Sequence, residues 1–315
     1  WFGKRNDDKA GLGDYSVNEK KLPYGLSGLA KKINALGMDF GLWFEPEAVN
    51  PDSDLYRAHP DWAIQTPDEA PTQCRNQLML DLTRPEVRDY LVETINKVIR
   101  DNKLDYVKWD ANRDLAEGYS LNLPQNRQKE LHHRYVLGLY DLFRRIVEAN
   151  PDVLFEACAS GGGRFDPGML YYAPQIWTSD NSDAQDRINI QYGTSIVYPS
   201  SAISAHVSAS PNHQTGRVTS FKTRGDVALA GGFGYELDLN QLTDEERALV
   251  RKQIENYNKY DRVVHEGDLY RLISPVDHSP ECAWMYVAPD KSEALVTFAL
   301  VRHEIDRPHY VRLAG

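Results

Sequence analysis

With 315 residues and 41% hydrophobic side chains, the chain holds enough apolar material for one large barrel or two ordinary domains. Its 36 Lys and Arg against 46 Asp and Glu leave a formal charge of −10, which repels nucleic-acid backbones and anionic lipid and argues against both as partners. No window approaches the roughly 18 consecutive apolar residues of a membrane span, no basic-then-apolar leader opens the sequence, and Cys74, Cys158 and Cys282 have neither disulfide nor metal spacing, which favours a reducing compartment such as the cytoplasm.

The sequence opens at Trp1 and stops at Gly315 just after a strand-like run, so it reads as an excised or incomplete piece. Residues 23–37 predict a helix, with Leu26, Leu29, Ile33 and Leu36 at spacings of three and four, Pro23 to open it and Gly37 to close it. A buried strand over 39–44 then ends in Glu45-Pro46-Glu47. Residues 46–83, with Pro51, Pro60, Pro67 and Pro71, read as an extended loop over a barrel mouth. A helix over 84–101 puts Val87, Leu91, Ile95, Val98 and Ile99 on one face, and a strand over 106–110 follows. Next come a helix over 126–150, a strand over 153–158, a strand over 176–179 and a helix over 184–195. Strands over 202–207 and 234–238 precede a helix over 243–260, where Thr243 and Glu246 have the spacing of a capping box.

About six strand–helix units in this order predict an α/β chain, a (β/α)8 TIM barrel incomplete at its N-terminal end. It lacks the first strand and most of the second. No G-x-G-x-x-G opens the first turn, which disfavours a doubly wound sheet. Beyond Arg262 the helices stop, and strands over 270–273, 283–287 and 294–301 predict the start of a C-terminal antiparallel β domain. The expected domains are therefore 1–261 and 262–315.

In a barrel, the C-terminal ends of the strands carry the chemistry. Trp43, Glu45, Lys108, Asp110, Glu156, Cys158, Asp180, His206, Glu236 and Asp238 stand there. Retaining glycosidases need two carboxylates roughly 5–5.5 Å apart, one to attack and one to protonate the leaving oxygen. Asp110 and Asp180 each end an apolar run beside a tryptophan and are the candidates, although one Asp at a strand–helix junction also resembles an N-cap. Lys108 lies two residues before Asp110, hence on the same strand face, which assigns Asp110 as nucleophile. Asp180, beside Trp177, is left as acid/base, with apolar surroundings to raise its pKa. The glycine run after Cys158 lacks a Lys-Ser or Lys-Thr partner, so it suits close approach to a neutral sugar better than a phosphate. His206 and His213 show no metal spacing.

Five motifs now stand in order: Gly41-Leu-Trp-Phe-Glu-Pro-Glu47, Arg75-Asn-Gln, Lys108-Trp-Asp-Ala-Asn-Arg113, Cys158-x-x-Gly-Gly-Gly-Arg164 and Ser179-Asp-x-x-Asp-x-x-x-Arg187. Together they resemble the microbial α-galactosidases of glycoside hydrolase family thirty-six. The resemblance implies Asp110 as nucleophile and Asp180 as acid/base. It implies that Trp43, Arg75, Lys108, Cys158 and Gly161 line the galactose site, supported by Asn112, Asp183 and Arg187. It further implies no metal and no organic cofactor, small oligosaccharides of the melibiose and raffinose type as substrates, and a homo-oligomeric full-length protein with β domains on both sides of the barrel. In that family two aspartates that grip galactose precede Trp-Phe-Gly. The sequence starts at Trp1, so the chain alone is expected to be weak or inactive.

Three alternatives stay open. Asp110, Glu156 and Asp180 on successive strands could hold Mg²⁺ as in enolase-like barrels. The enzyme could be an α-N-acetylgalactosaminidase or a transglycosylase, although Cys158 beside the 2-hydroxyl leaves little room for an acetamide. A galactose-binding chain without catalysis is the third.

Overall fold

The computed structural model describes residues 1–276, 279–302 and 308–313. It divides into two compact units, Trp1–Pro174 and Gln175–Gly315.

The first unit runs α1 (Gly25–Asn34), β1 (Gly41–Phe44), β2 (Ala48–Val49), α2 (Asp54–Ala58), β3 (Leu78–Met79), α3 (Pro85–Asn102), β4 (Tyr106–Trp109), α4 (Leu131–Ala149), β5 (Leu154–Ala157) and α5 (Pro167–Tyr172). Strands β1, β4 and β5 pair in parallel, with Trp43 level with Lys108 and Lys108 level with Glu156. On β4, Val107 and Trp109 are buried, and Trp109 packs 4.3 Å from the Phe143 ring on α4. Side chains alternate along a strand, so Lys108 points to the opposite face, away from the helices.

Helix α3 buries the five residues predicted for its stripe, and Lys103 ends it in the left-handed region at φ 51°. Helix α1 starts two residues after Pro23, and Leu36 lies beyond its C-cap, 73% exposed. Residues 46–83 are not an extended loop. Ser53 caps α2 by accepting from the Tyr56 amide at 3.0 Å, and Asp14 accepts from the Asp54 and Leu55 amides at 2.9 Å each. Val49, Leu55, Ile64, Leu78 and Leu80 of this segment are buried, and β2 pairs antiparallel with β3. Elements this short carry too few repeats for a period to show.

The second unit runs β6 (Gln175–Trp177), α6 (Ala184–Thr194), β7 (Ile203–Ser208), α7 (Phe221–Ala228), β8 (Gly232–Glu236), α8 (Asp244–Glu266), β9 (Asp268–Ile273), β10 (Glu281–Val287) and β11 (Ala294–Leu300). Strands β6, β7 and β8 are parallel, and β10 lies between β9 and β11 in an antiparallel sheet. Helix α8 begins with the predicted capping box and continues to Glu266. One apolar cluster joins Ile188, Val227, Val263 and Val264 of the helices to Cys282, Trp284 and Tyr286 of β10. The strand–helix alternation closed by antiparallel strands is that of an incomplete (β/α) barrel followed by a β domain. Among the described residues, no helix is long and apolar enough to cross a membrane.

Candidate active site

Asp110 follows β4 directly, and its amide donates to the Phe44 carbonyl at 2.8 Å, which ties the end of β4 to that of β1. The residue is 8% exposed. Oδ2 accepts from Trp43 Nε1 at 3.1 Å and from Asn112 Nδ2 at 2.6 Å, and Oδ1 accepts from the Ala111 amide at 2.9 Å. These donors fix the orientation of the carboxylate at the strand end. Lys108 Nζ sits 3.1 Å from Glu156 Oε1, its neighbour across the register, and Tyr106 donates to the same carboxylate. A strand-end cation is thus held in place rather than left to swing.

Cys158 leaves β5 beside this group and is 3% exposed. Burial, followed by the negative charge of Asp110, pushes its thiol well above the ordinary range, so the sulfur stays protonated. The Gly161 amide donates to Cys158 Sγ at 3.4 Å from a backbone at φ +88°, a conformation glycine adopts without steric cost. Arg75 stands apart. It and Asn76 occupy the two left-handed positions (φ 52° and 59°) of a tight turn between Cys74 and Gln77. Its side chain is exposed.

Two buried carboxylates, Glu45 and Glu47, follow β1, and only Glu45 stands among the strand-end candidates read from the sequence. Glu47 is 1% exposed and accepts from Trp109 Nε1 and Tyr135 Oη at 2.9 Å each and from two Arg164 nitrogens at 2.8 Å. Glu45 is fully buried, accepting from Gln77 Nε2 at 3.1 Å and from the Asn112 amide at 3.0 Å. Burial and then the charge on Asp110 raise its carboxyl above the usual range, against the pull of those donors. The available signal was the unbroken Glu-Pro-Glu at a strand end, where two charges can enter a core only if each finds partners.

In the second unit Asp180 follows β6, is exposed, and accepts from Trp177 Nε1 at 3.1 Å. The apolar enclosure expected around it is therefore absent from its immediate surroundings. Trp177 lies between the Arg187 guanidinium, 4.4 Å from its ring centre, and the His206 ring, stacked at 4.5 Å. Arg187 is buried and donates to Thr178 Oγ1 at 2.6 Å, the Ser179 carbonyl at 3.2 Å and Gln191 Oε1 at 3.1 Å; burial lowers its pKa to about 10, still a cation at neutral pH. Asp183 caps α6 through the Gln185 and Asp186 amides and takes further bonds from Thr215 and Arg217.

The structure thus gathers Trp43, Lys108, Asp110, Asn112, Cys158 and Gly161 in one unit, and Trp177, Asp180, Asp183 and Arg187 in the other. Glu156 is engaged by Lys108 and Tyr106. Among the described residues, no group of three or more His, Cys, Asp and Glu could hold a metal ion.

The Melibiase family model matches residues 1–267. Alpha-galactosidase AgaA of Geobacillus stearothermophilus is 54% identical over the whole chain, which covers 43% of that protein. Alpha-galactosidase Mel36A of Lactobacillus acidophilus is 51% identical over 94% of the chain, covering 40% of its own length. A solved structure of an AgaA variant with stachyose bound superposes at a TM-score of 0.98 with 54% identity, covering the whole of this chain and 44% of that one. The chain therefore spans less than half the length of these relatives.

Proposed function

The chain belongs to the melibiase family, and we propose that it carries the catalytic strands of a retaining α-galactosidase acting on melibiose- and raffinose-type oligosaccharides. The observation that carries this reading is the carboxylate of Asp110, held at a strand end by Trp43, Asn112 and its own loop amide. Asp110 bonds to the anomeric carbon as the glycosidic C–O bond breaks, and Asp180 gives its proton to the departing oxygen. Water then attacks the covalent galactosyl-enzyme and loses a proton to Asp180, which frees Asp110. Lys108 and Arg75 bind ring hydroxyls. The family resemblance puts the neutral thiol of Cys158 and the bare backbone of Gly161 near the 2-hydroxyl, which supports galactose over the bulkier N-acetylgalactosamine.

AgaA structures with raffinose and stachyose bound support the substrate class. Asp183 and Arg187 support the acid/base by fixing the loop that bears it. Three unpaired cysteines support a cytoplasmic location, and the family resemblance supports a homo-oligomeric full-length protein. The test is a mechanism-based α-galactosyl inactivator applied to the full-length protein, with peptide mass spectrometry. A single label on Asp110 supports the reading; a folded, unlabelled protein that still binds galactose overturns it in favour of a binding role.

A further inference from the structure

Asp110 as a carboxylate can only accept hydrogen bonds, so the Asn112 side chain must turn its NH₂ group toward it, as the 2.6 Å contact to Oδ2 records. The amide oxygen of Asn112 then faces the other way and needs a donor. Ser160 Oγ lies 3.3 Å from it. An amide oxygen cannot donate, so the serine hydroxyl does. Glu45 meanwhile holds the Asn112 backbone amide at 3.0 Å. The main chain of Asn112 is fixed from one side and the rotation of its side chain from the other.

The backbone that delivers this hydroxyl is itself unusual. Ser160 has φ +47°, a left-handed conformation that an L residue seldom adopts, directly before Gly161 at +88°. Glycine would sit at Ser160 with less strain. A residue kept in a disfavoured conformation, exposed and aimed at the partner of the nucleophile, contributes its hydroxyl rather than its backbone.

From these contacts we infer that Ser160 is a positioning residue, which orients the Asn112 amide and through it the attacking carboxylate. The inference rests on Asp110 being the nucleophile. At 3.3 Å the contact is long for a hydroxyl bond, so it steers the amide rather than locking it, and the effect is moderate.

Ser160→Gly separates the hydroxyl from the backbone, because it removes the first and relaxes the second. In the full-length protein it is expected to keep or raise the thermal midpoint while lowering kcat about tenfold with little change in KM. Covalent trapping of Asp110 by the α-galactosyl inactivator should slow in the same proportion. Ser160→Ala, which keeps the strain, should lose kcat equally. In an Asn112→Ala background, Ser160→Gly should cost nothing further, since the group it steers is gone. Parental kcat in Ser160→Gly overturns the inference. So does a change confined to KM, which would make Ser160 a sugar contact, or losses that multiply with Asn112→Ala. A parent protein that the inactivator does not label on Asp110 removes the reading of the site itself, and this inference with it. Labelling on Asp110 combined with multiplying losses removes the inference alone.

Discussion

Glu47 and Arg164 meet as a bidentate pair, with two contacts of 2.8 Å, although 117 residues of sequence separate them. The pair ties the segment after β1 to the glycine loop, and through Trp109 Nε1 it also holds the residue before Asp110. Burial pulls the Arg164 guanidinium down, but Glu47 more than offsets this and leaves it above its ordinary value.

Glu47→Gln should therefore destabilise, by about 1–3 kcal/mol, because it leaves a half-buried cation without its carboxylate. The double variant Glu47→Gln with Arg164→Met removes both charges and should recover most of that loss. Denaturant unfolding of the single and double variants measures both. Equal losses in the two would show that the ion pair is not what holds these segments.

Asp183 yields a pH prediction. Burial would raise its carboxyl, but hydrogen bonds from Thr215 and Arg217 and from the first amides of α6 hold it below the usual value of 3.8. A depressed carboxylate contributes stability that is fully present above its unfolded pKa and is lost as pH falls through the folded one. Asp183→Asn keeps a capping side chain and drops the charge, so it should cost about 1–2 kcal/mol near neutral pH. That cost should fade below the unfolded value. Thermal midpoints of parent and variant from neutral pH down to strong acid test this, and a gap independent of pH would refute it.

The three cysteines should separate by reactivity. Cys74 is exposed, while Cys158 and Cys282 are buried and their thiols are pushed up, Cys282 to about 11. Thiolate is the alkylated form, so native alkylation at neutral pH should mark Cys74 first and spare the other two until unfolding. Peptide mass spectrometry over time reads the order. Early labelling at Cys158 would mean that its pocket opens.

The long elements are legible in the sequence because each repeats its apolar stripe several times; Val87, Leu91, Ile95 and Ile99 of α3 are an example. Helix α7 shows no such stripe. Its start depends on the Ser220 cap, and its buried positions include Arg224, which a hydrophobic pattern passes over. Asp110 stands out in the sequence because it and Asp180 each end an apolar run beside a tryptophan, although a single Asp at such a junction also resembles an N-cap. Glu47 looks like any acid after a strand, since its partners lie at 109, 135 and 164 and only the fold brings them together. The same holds for Ser160, whose meaning comes from one backbone angle and one neighbour.

Trp177 and Arg187 give the sharpest kinetic prediction. The indole donates to Asp180 while the guanidinium lies on its ring, and Arg187 is itself held by Thr178, Ser179 and Gln191. Trp177→Phe keeps the ring between Arg187 and His206 but removes the donor to Asp180. It should leave stability within about 1 kcal/mol, yet, with Asp180 as the proposed acid/base, lower kcat of the full-length protein roughly tenfold, because the carboxyl then samples orientations in which no proton transfer occurs. Arg187→Lys should do more. An ammonium cannot reproduce a planar fork directed at several acceptors, so both stability and kcat should fall, the former by about 1–3 kcal/mol. Comparing kcat for substrates with good and poor leaving groups isolates the step. An aglycone that departs without protonation needs no acid, so the deficit of Trp177→Phe in forming the galactosyl-enzyme should shrink for it. A deficit that stays the same for both leaving groups would place the effect of Trp177 on binding or folding instead of on Asp180.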